Sequence, residues 1–260
     1  MAKRAFRQAS RRLPTAADCA YGWRVTAVLF DVGGPIDCEL RWEELIDRDI
    51  RAALARHGIH VSDEEYARAS AAAVHSFAPS TYRTIIWSLA ATRADRVAVA
   101  AAVYDRVAAG GDARDRERGG IELRPGVDAL LRRLAGSGLA LAIVANQPHK
   151  MRRELERVGI HHHFTHVELP GDDGIRKPDP RFFLRACDAL AVAPERAIMV
   201  GDRIDNDIAP ARALGMRAVR LRTGRHVAQE ARDASEVPDA DVHDLVALGE
   251  AILALAADLG

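Results

Sequence analysis

The sequence predicts an α/β protein with a doubly wound parallel sheet, Rossmann-like in its core, and a helical domain inserted after the first strand. Three observations predict it. An apolar run, Val25–Asp31, breaks off at a carboxylate and a Gly33-Gly34-Pro35 turn, as a fully buried strand does. From Leu123 to Leu221, apolar runs of strand length alternate with amphipathic stretches of helix length, the pattern of βαβ units. Between the two, residues 37–120 carry helical spacing and no buried strand, enough chain for a small module.

Residues 1–23 form a basic tail. Lys3, Arg4, Arg7, Arg11 and Arg12 precede Pro14, with no apolar segment to make a secretory signal. The first strand then places Asp31 at its C-terminal end, where open α/β sheets bind ligands. The insertion opens with helical spacing from Trp42 to His57, stopped at Gly58. Ser62-Asp63-Glu64-Glu65 is a capping box for a second helix. Thr81–Leu89 and Arg93–Ala109 read as two more, the last closed by Gly110-Gly111.

The core comprises residues 24–36 and 121–260. Pro125–Leu134 reads as a helix with proline near its start, ended by Gly136-Ser137-Gly138. Leu139–Asn146 is a buried strand, Lys150–Val158 a helix stopped by Gly159, and His166–Leu169 a short strand. Helix Pro180–Leu190 precedes strand Ala197–Asp202. Helix Ile208–Leu214, with Gly215 as its stop, precedes strand Arg217–Leu221. Val242–Leu259 is a terminal amphipathic helix. Right-handed crossovers put the C-terminal ends of all these strands on one side.

Composition narrows the function classes. The 260 residues are 48% hydrophobic and 28% charged, ordinary for a globular chain with a large core. Lys+Arg and Asp+Glu both number 37, so no net field draws nucleic acid or a membrane surface. Aromatics, at 5%, leave little for base stacking. Cys19, Cys38 and Cys187 are too far apart for a metal-ligand pattern or a disulfide framework, which suits a reducing compartment. No run approaches the ~18 apolar residues of a membrane span. The expectation is a cytoplasmic monomer or homodimer with no nucleic-acid or membrane partner.

The strand ends carry the chemistry. Asp31 is costly to bury as an anion without a compensating cation. Strand Ala197–Val200 runs into Gly201-Asp202-Arg203-Ile204-Asp205-Asn206-Asp207, which adds three carboxylates at the same sheet edge. Their mutual repulsion calls for a cation. Oxygen-only ligation by a few carboxylates suits Mg²⁺ better than zinc or calcium. The proline-held loop Gly174 to Pro180 presents Lys177, which can balance an aspartate nucleophile and a phosphoryl group.

These stretches resemble the motifs of the haloacid dehalogenase-like (HAD) superfamily. Asp31 after its strand resembles motif one, Leu141 to Asn146 motif two, Lys177-Pro178-Asp179-Pro180 motif three, and Val200 to Asp207 motif four. The helical insertion after motif one resembles that family's type 1 cap. The resemblance covers residues 24–250. It implies a Mg²⁺-dependent hydrolase, a phosphatase of a small phosphorylated metabolite. Asp31 would form an aspartyl-phosphate, with Asp31, the Gly33 carbonyl, Asp202 and Asp207 on the metal. Lys177 would offset charge beside Asp31. Gly33, Gly34, Ala145, Asn146 and Lys177 would line the substrate phosphoryl group, and the cap would close over it.

Two positions depart from the family. Its phosphatases carry a second aspartate two residues after the nucleophile, a general acid/base worth ~10²–10⁴ in rate; here that position is Gly33. Motif two normally ends in a hydroxyl residue, replaced here by Ala145, with Asn146 and backbone amides as partial substitutes. If only the acid is missing, Gly33→Asp raises phosphatase activity. Two alternatives follow from the same departures: a dehalogenase-type hydrolase attacking carbon, or a catalytically impaired member that binds a phosphometabolite or a protein.

Other residues read more plainly. His161-His162-His163 is a solvated turn, because consecutive residues share no face. Asp205 supports its loop or faces solvent. Arg203 and Arg222 are exposed charges or structural ion pairs. Asp37, Glu39, Arg41, Trp42, His75 and Trp87 are candidate substrate contacts in the insertion, Trp42 and Trp87 being core by type. A cap Asp or His could replace the missing acid, and the sequence does not choose one.

Overall fold

The computed structural model describes residues 25–257. The basic tail read over residues 1–23, and the last residues of the terminal helix, lie outside the described residues. Strand β1 (Ala27–Phe30) is followed by five helices: α1 (Leu40–Arg56), α2 (Asp63–His75), α3 (Thr81–Ala91), α4 (Arg96–Ala109) and α5 (Gly111–Arg118). Then come α6 (Val127–Gly136), β2 (Ala140–Val144), α7 (Met151–Arg157), β3 (His166–Glu168), α8 (Pro180–Leu190) and β4 (Ala197–Gly201). The chain ends with α9 (Ala209–Ala213), β5 (Arg217–Leu221), β6 (Ala240–Val242) and α10 (Leu245–Ala257).

The strands pair in parallel in the order β3-β2-β1-β4-β5-β6. Alternation along β1 divides the core into two layers. Val28 and Phe30 pack with Leu131 and Leu134 of α6, Leu155 of α7 and Ile252 of α10. Ala27 and Leu29 pack with Phe182, Phe183 and Ala186 of α8 and Ala211 of α9. The sheet is therefore covered on both faces, which is why its strands read as unbroken apolar runs. Phe30 stands opposite Val200, so β1 and β4 end level and deliver Asp31 and Asp202 to one edge.

Helices α1–α4 share a separate apolar cluster that includes Ile50, Leu54, Tyr66, Ile85, Leu89 and Val103. The capping box of α2 is formed: the Ser62 hydroxyl accepts from the Glu65 amide, and the Ser62 amide donates to the Glu65 carboxylate at 2.9 Å. No helix among the described residues is long and apolar enough to cross a membrane.

Several elements differ from the sequence reading. Gly110 closes α4 after Ala109 as expected, but a further helix follows that the sequence reading lacks. Gly110 keeps φ −77°, and the chain turns straight into α5, whose Arg114 is buried against Asp49 at 2.8 Å. Helix α4 starts at Arg96, because Asp95 is left-handed at φ 56°. Gly126, at φ 92°, delays α6 past Pro125 to Val127. Val242, read as the start of the terminal helix, ends β6, a strand too short for a two-residue period to show. Helix α10 begins after Asp244, whose carboxylate accepts from the amides of Val246 and Ala247 at 2.9 and 2.8 Å. Neither Trp42 nor Trp87 is core: Trp42 is half-buried and Trp87 is 49% exposed.

Candidate active site

Three elements meet at the strand edge. At the end of β1 the Asp31 amide donates to Val200 O at 2.8 Å, and the Val32 amide donates back to Asp31 Oδ1 at 2.7 Å. This ties the carboxylate to the turn that follows. At the end of β4 the chain winds one turn of π-helix, Ile204–Ile208, which swings Asp207 back over Gly201. The Arg203 amide donates to Asp207 Oδ2 at 3.1 Å. The third element is the loop before α8, where Lys177 Nζ lies 3.0 Å from Asp31 Oδ1 and 2.6 Å from Asp207 Oδ1. Asn146 clamps that loop. Its Nδ2 donates to Lys177 O and its Oδ1 accepts from Lys177 N, both at 2.9 Å.

Asp31, Asp202 and Asp207 are buried, and each brings one carboxylate oxygen within 4.8 Å of the others. Burial pushes the Asp31 carboxyl up to about 7, against the pull of Lys177 and with the repulsion of Asp207 and Asp202. Burial raises Asp207 likewise, again opposed by Lys177. Burial also works against the Lys177 ammonium, but Asp207 and Asp31 overcome it and hold its pKa above the ordinary lysine value. One ammonium, paired with Asp31 and Asp207, therefore stands beside a cluster of three buried carboxylates. That surplus of hard, anionic oxygen fits a small divalent cation.

The remaining sequence candidates separate clearly. Gly33 and Gly34 form the turn after Asp31. Gly34, at φ 81°, passes so close to Asp202 that a Cβ there would lie 2.8 Å from Asp202 Cβ, and its amide already donates to Asp37 O at 3.1 Å. Ala145 is fully buried at the end of β2 and offers no hydroxyl. Asp205 and Arg203 pair with one another at 2.6 Å, and Arg222 pairs with Glu230 and Asp241, so none of the three is free for a substrate. The three histidines form a 3₁₀ turn in which His163 meets Asp128 at 2.8 Å.

A cavity of about 780 Å³ lies where α4 and α5 face the loop after β2, lined by Glu39, Trp42, Arg118, Asn146, Gln147 and Lys150 among others. Asp37 also borders it but is locked in an ion pair with Arg118. Arg41, His75 and Trp87 are exposed and stand outside the lining. Glu39 lies over Gly33. Burial, then the carboxylates of Asp202, Asp37 and Asp31, hold the Glu39 carboxyl well above the ordinary range.

Sequence reasoning missed His226, whose Nδ1 lies 3.5 Å from Asp202 Oδ2 and whose Nε2 meets Thr81 Oγ1 at 3.1 Å. It lies on a short turn beyond β5, and no motif marks it.

The sequence model of the family described as "Hydrolase: haloacid dehalogenase-like hydrolase" matches residues 25–215. The glyceraldehyde 3-phosphate phosphatase of Methanopyrus kandleri is 30% identical over 224 residues, 84% of this chain and 93% of that protein. The phosphoserine phosphatase of Thermus thermophilus is 42% identical over 140 residues, 53% of this chain and 55% of that protein. The chain thus spans about half the length of the second relative. A solved structure described as a predicted phosphoglycolate phosphatase from Haemophilus somnus shares the fold, with TM-score 0.65 at 21% identity, covering 86% of this chain and 96% of that one.

Proposed function

The chain belongs to the haloacid dehalogenase-like hydrolases, and on that premise we propose that it is a Mg²⁺-dependent phosphatase of a small phosphorylated metabolite. The observation that carries the proposal is the meeting of Asp31, Asp202 and Asp207 at one sheet edge, with Lys177 paired to Asp31 and Asp207. The phosphatase relatives support the substrate class.

Asp31 is the nucleophile. One of its carboxylate oxygens bonds to phosphorus as the bond to the leaving oxygen breaks. Water then bonds to the phosphorus of the aspartyl-phosphate, and the Asp31–phosphorus bond breaks to release phosphate. Lys177 favours the anionic form of Asp31, countering its burial, and faces the incoming phosphoryl group. Mg²⁺ held by Asp31, Asp202, Asp207 and the Gly33 carbonyl would neutralise phosphoryl charge. Residues 37–120 act as the cap that excludes water from the closed site.

The test is phosphate release from nitrophenyl phosphate with Mg²⁺, comparing the parent with Asp31→Asn. A loss of at least about 10³-fold is expected, and equal rates would remove Asp31 from the mechanism. Attack on carbon is the competing reading. Metal-independent halide release from a haloacid would establish it, and the surplus carboxylates around Asp202 count against it.

A further inference from the structure

The general acid/base that the motif-one turn lacks has a replacement in space. We propose that Glu39 supplies it, its carboxyl group reaching the leaving oxygen from the volume that a side chain at residue 33 would occupy. This rests on the phosphatase reading above and adds the residue that moves the protons.

The placement is direct. A Cβ built on Gly33 would lie 2.8 Å from both Glu39 carboxylate oxygens and 2.9 Å from Cδ. Gly33 is therefore not followed by empty space. The carboxyl group is present, delivered by a residue six positions later. Glu39 enters α1 with φ 58°, a left-handed conformation that a residue with a side chain keeps only where its surroundings enforce it. Its amide donates to Asp37 Oδ1 at 3.3 Å, which helps fix that entry.

Glu39 also differs from the acids around it. Asp31 and Asp207 share Lys177, Asp37 is paired with Arg118, and Glu43 accepts from the Arg225 amide at 2.9 Å. Among the described residues the Glu39 carboxyl has no hydrogen-bond or ion-pair partner; it lies between the Gly33 turn and the cavity of about 780 Å³, whose lining includes Glu39 but not Asp31, Asp202 or Asp207. In the first step Glu39, in its carboxylic acid form, gives its proton to the leaving oxygen as the phosphorus–oxygen bond breaks. In the second, the resulting carboxylate takes a proton from the water that attacks the aspartyl-phosphate. Asp31 and protonated Glu39 are both regenerated.

The two carboxyl groups compete for one place, so Gly33→Asp alone displaces the Glu39 carboxyl rather than adding a missing group. It is expected to give no tenfold gain.

The experiment compares the parent, Glu39→Gln, Glu39→Ala and Gly33→Asp/Glu39→Ala with Mg²⁺, on nitrophenyl phosphate and on ethyl phosphate. For Glu39→Gln with nitrophenyl phosphate, a burst of about one nitrophenol per chain is expected, then turnover ~10²-fold or more below the parent. Covalent phosphoenzyme should accumulate by intact-protein mass spectrometry. With ethyl phosphate, whose leaving group needs the proton, neither burst nor phosphoenzyme is expected. Gly33→Asp/Glu39→Ala should recover at least tenfold over Glu39→Ala, a rescue that a merely structural glutamate would not permit. An active parent with Glu39→Gln unchanged on both substrates, or with no rescue, overturns the inference alone. A parent that hydrolyses neither substrate overturns the phosphatase reading and this inference with it.

Discussion

The Lys177 ammonium stands 3.0 Å from the Asp31 carboxylate with neither side chain open to solvent, so each sets the charge state of the other. Removing the cation leaves buried anions uncompensated, typically a loss of about 3–5 kcal/mol. The carboxylates can escape by taking up protons, so the loss depends on pH. Lys177→Met is expected to lower Tm by about 6–15 °C at pH 8 and by clearly less at pH 5. Thermal denaturation at the two pH values checks it, and an equal drop at both would mean that the ammonium does not govern these carboxylates.

The metal-free protein should lose stability as pH rises. Asp31 is raised from 3.8 to about 7, so between those values the folded chain holds more protons than the unfolded one. Asp207 is raised too and adds to the same slope. The stability is full below the unfolded pKa and is lost as pH climbs through the folded one. A divalent cation binds the deprotonated carboxylates and so competes with these protons. Mg²⁺ at roughly a hundred times its Kd is expected to raise Tm by about 5–10 °C at pH 8 and much less at pH 5. Differential scanning calorimetry with and without Mg²⁺ decides the matter, and identical shifts at both pH values would place the ion elsewhere.

What could be read in advance follows from range. Asp31 and Asp202 terminate buried parallel strands, so an apolar run ending in a carboxylate places each at the sheet edge without any tertiary information. Lys177 is marked by the prolines that hold its loop. Glu39 has no such signal. It sits at the start of a helix of the insertion, and only its left-handed backbone folds it back over Gly33. The one available hint is a glycine where a carboxylate is wanted, together with an acid at the mouth of the next helix. Helix α5 escaped because the two glycines that end α4 give no sign that Gly110, at a helical φ, leads straight into another helix. Trp87 was read by residue type, which says nothing about which face of α3 meets the cluster around Ile85 and Leu89.

Asn146, the expected partial substitute for the hydroxyl that Ala145 lacks, is bonded to the lysine loop instead. Both ends of its amide are committed to the Lys177 backbone at 2.9 Å. Asn146→Ala strands that backbone amide and carbonyl, a loss of about 1–3 kcal/mol for a buried pair. The larger consequence is for Lys177, whose Nζ must reach two carboxylates from this loop. Activity on nitrophenyl phosphate is expected to fall by about tenfold or more, since small misplacements of catalytic groups cost rates of this order. Added Mg²⁺ should not restore it. Steady-state kinetics across a Mg²⁺ titration check this, and recovery at high Mg²⁺ would show that Asn146 acts on the metal instead.

Arg225 joins the loop after β5 to the helical layer. Its Nη2 lies 2.8 Å from Asp47 Oδ1, its Nη1 donates to Ser70 Oγ at 2.9 Å, and its guanidinium stands 5.0 Å over the Tyr82 ring. Next to it His226 spans Thr81 and Asp202. Fully buried Arg220 fixes the same loop from below, donating to the carbonyls of Asp202, His226 and Gln229 at 3.1, 2.8 and 2.7 Å. A chain of contacts thus runs from the carboxylate cluster to α1, α2 and α3. Arg225→Ala removes the guanidinium contacts with Asp47, Ser70 and Tyr82 and leaves Arg220 in place. The sheet edge should keep its geometry while the helical layer loses its fixed position above it. If that layer acts as a lid, kcat and KM both change, by about fivefold or more, because closure and chemistry are coupled. The thermal shift produced by Mg²⁺ should stay as in the parent. An altered Mg²⁺ shift with unchanged KM would mean instead that Arg225 serves the carboxylate cluster and not the closure of the helices over it.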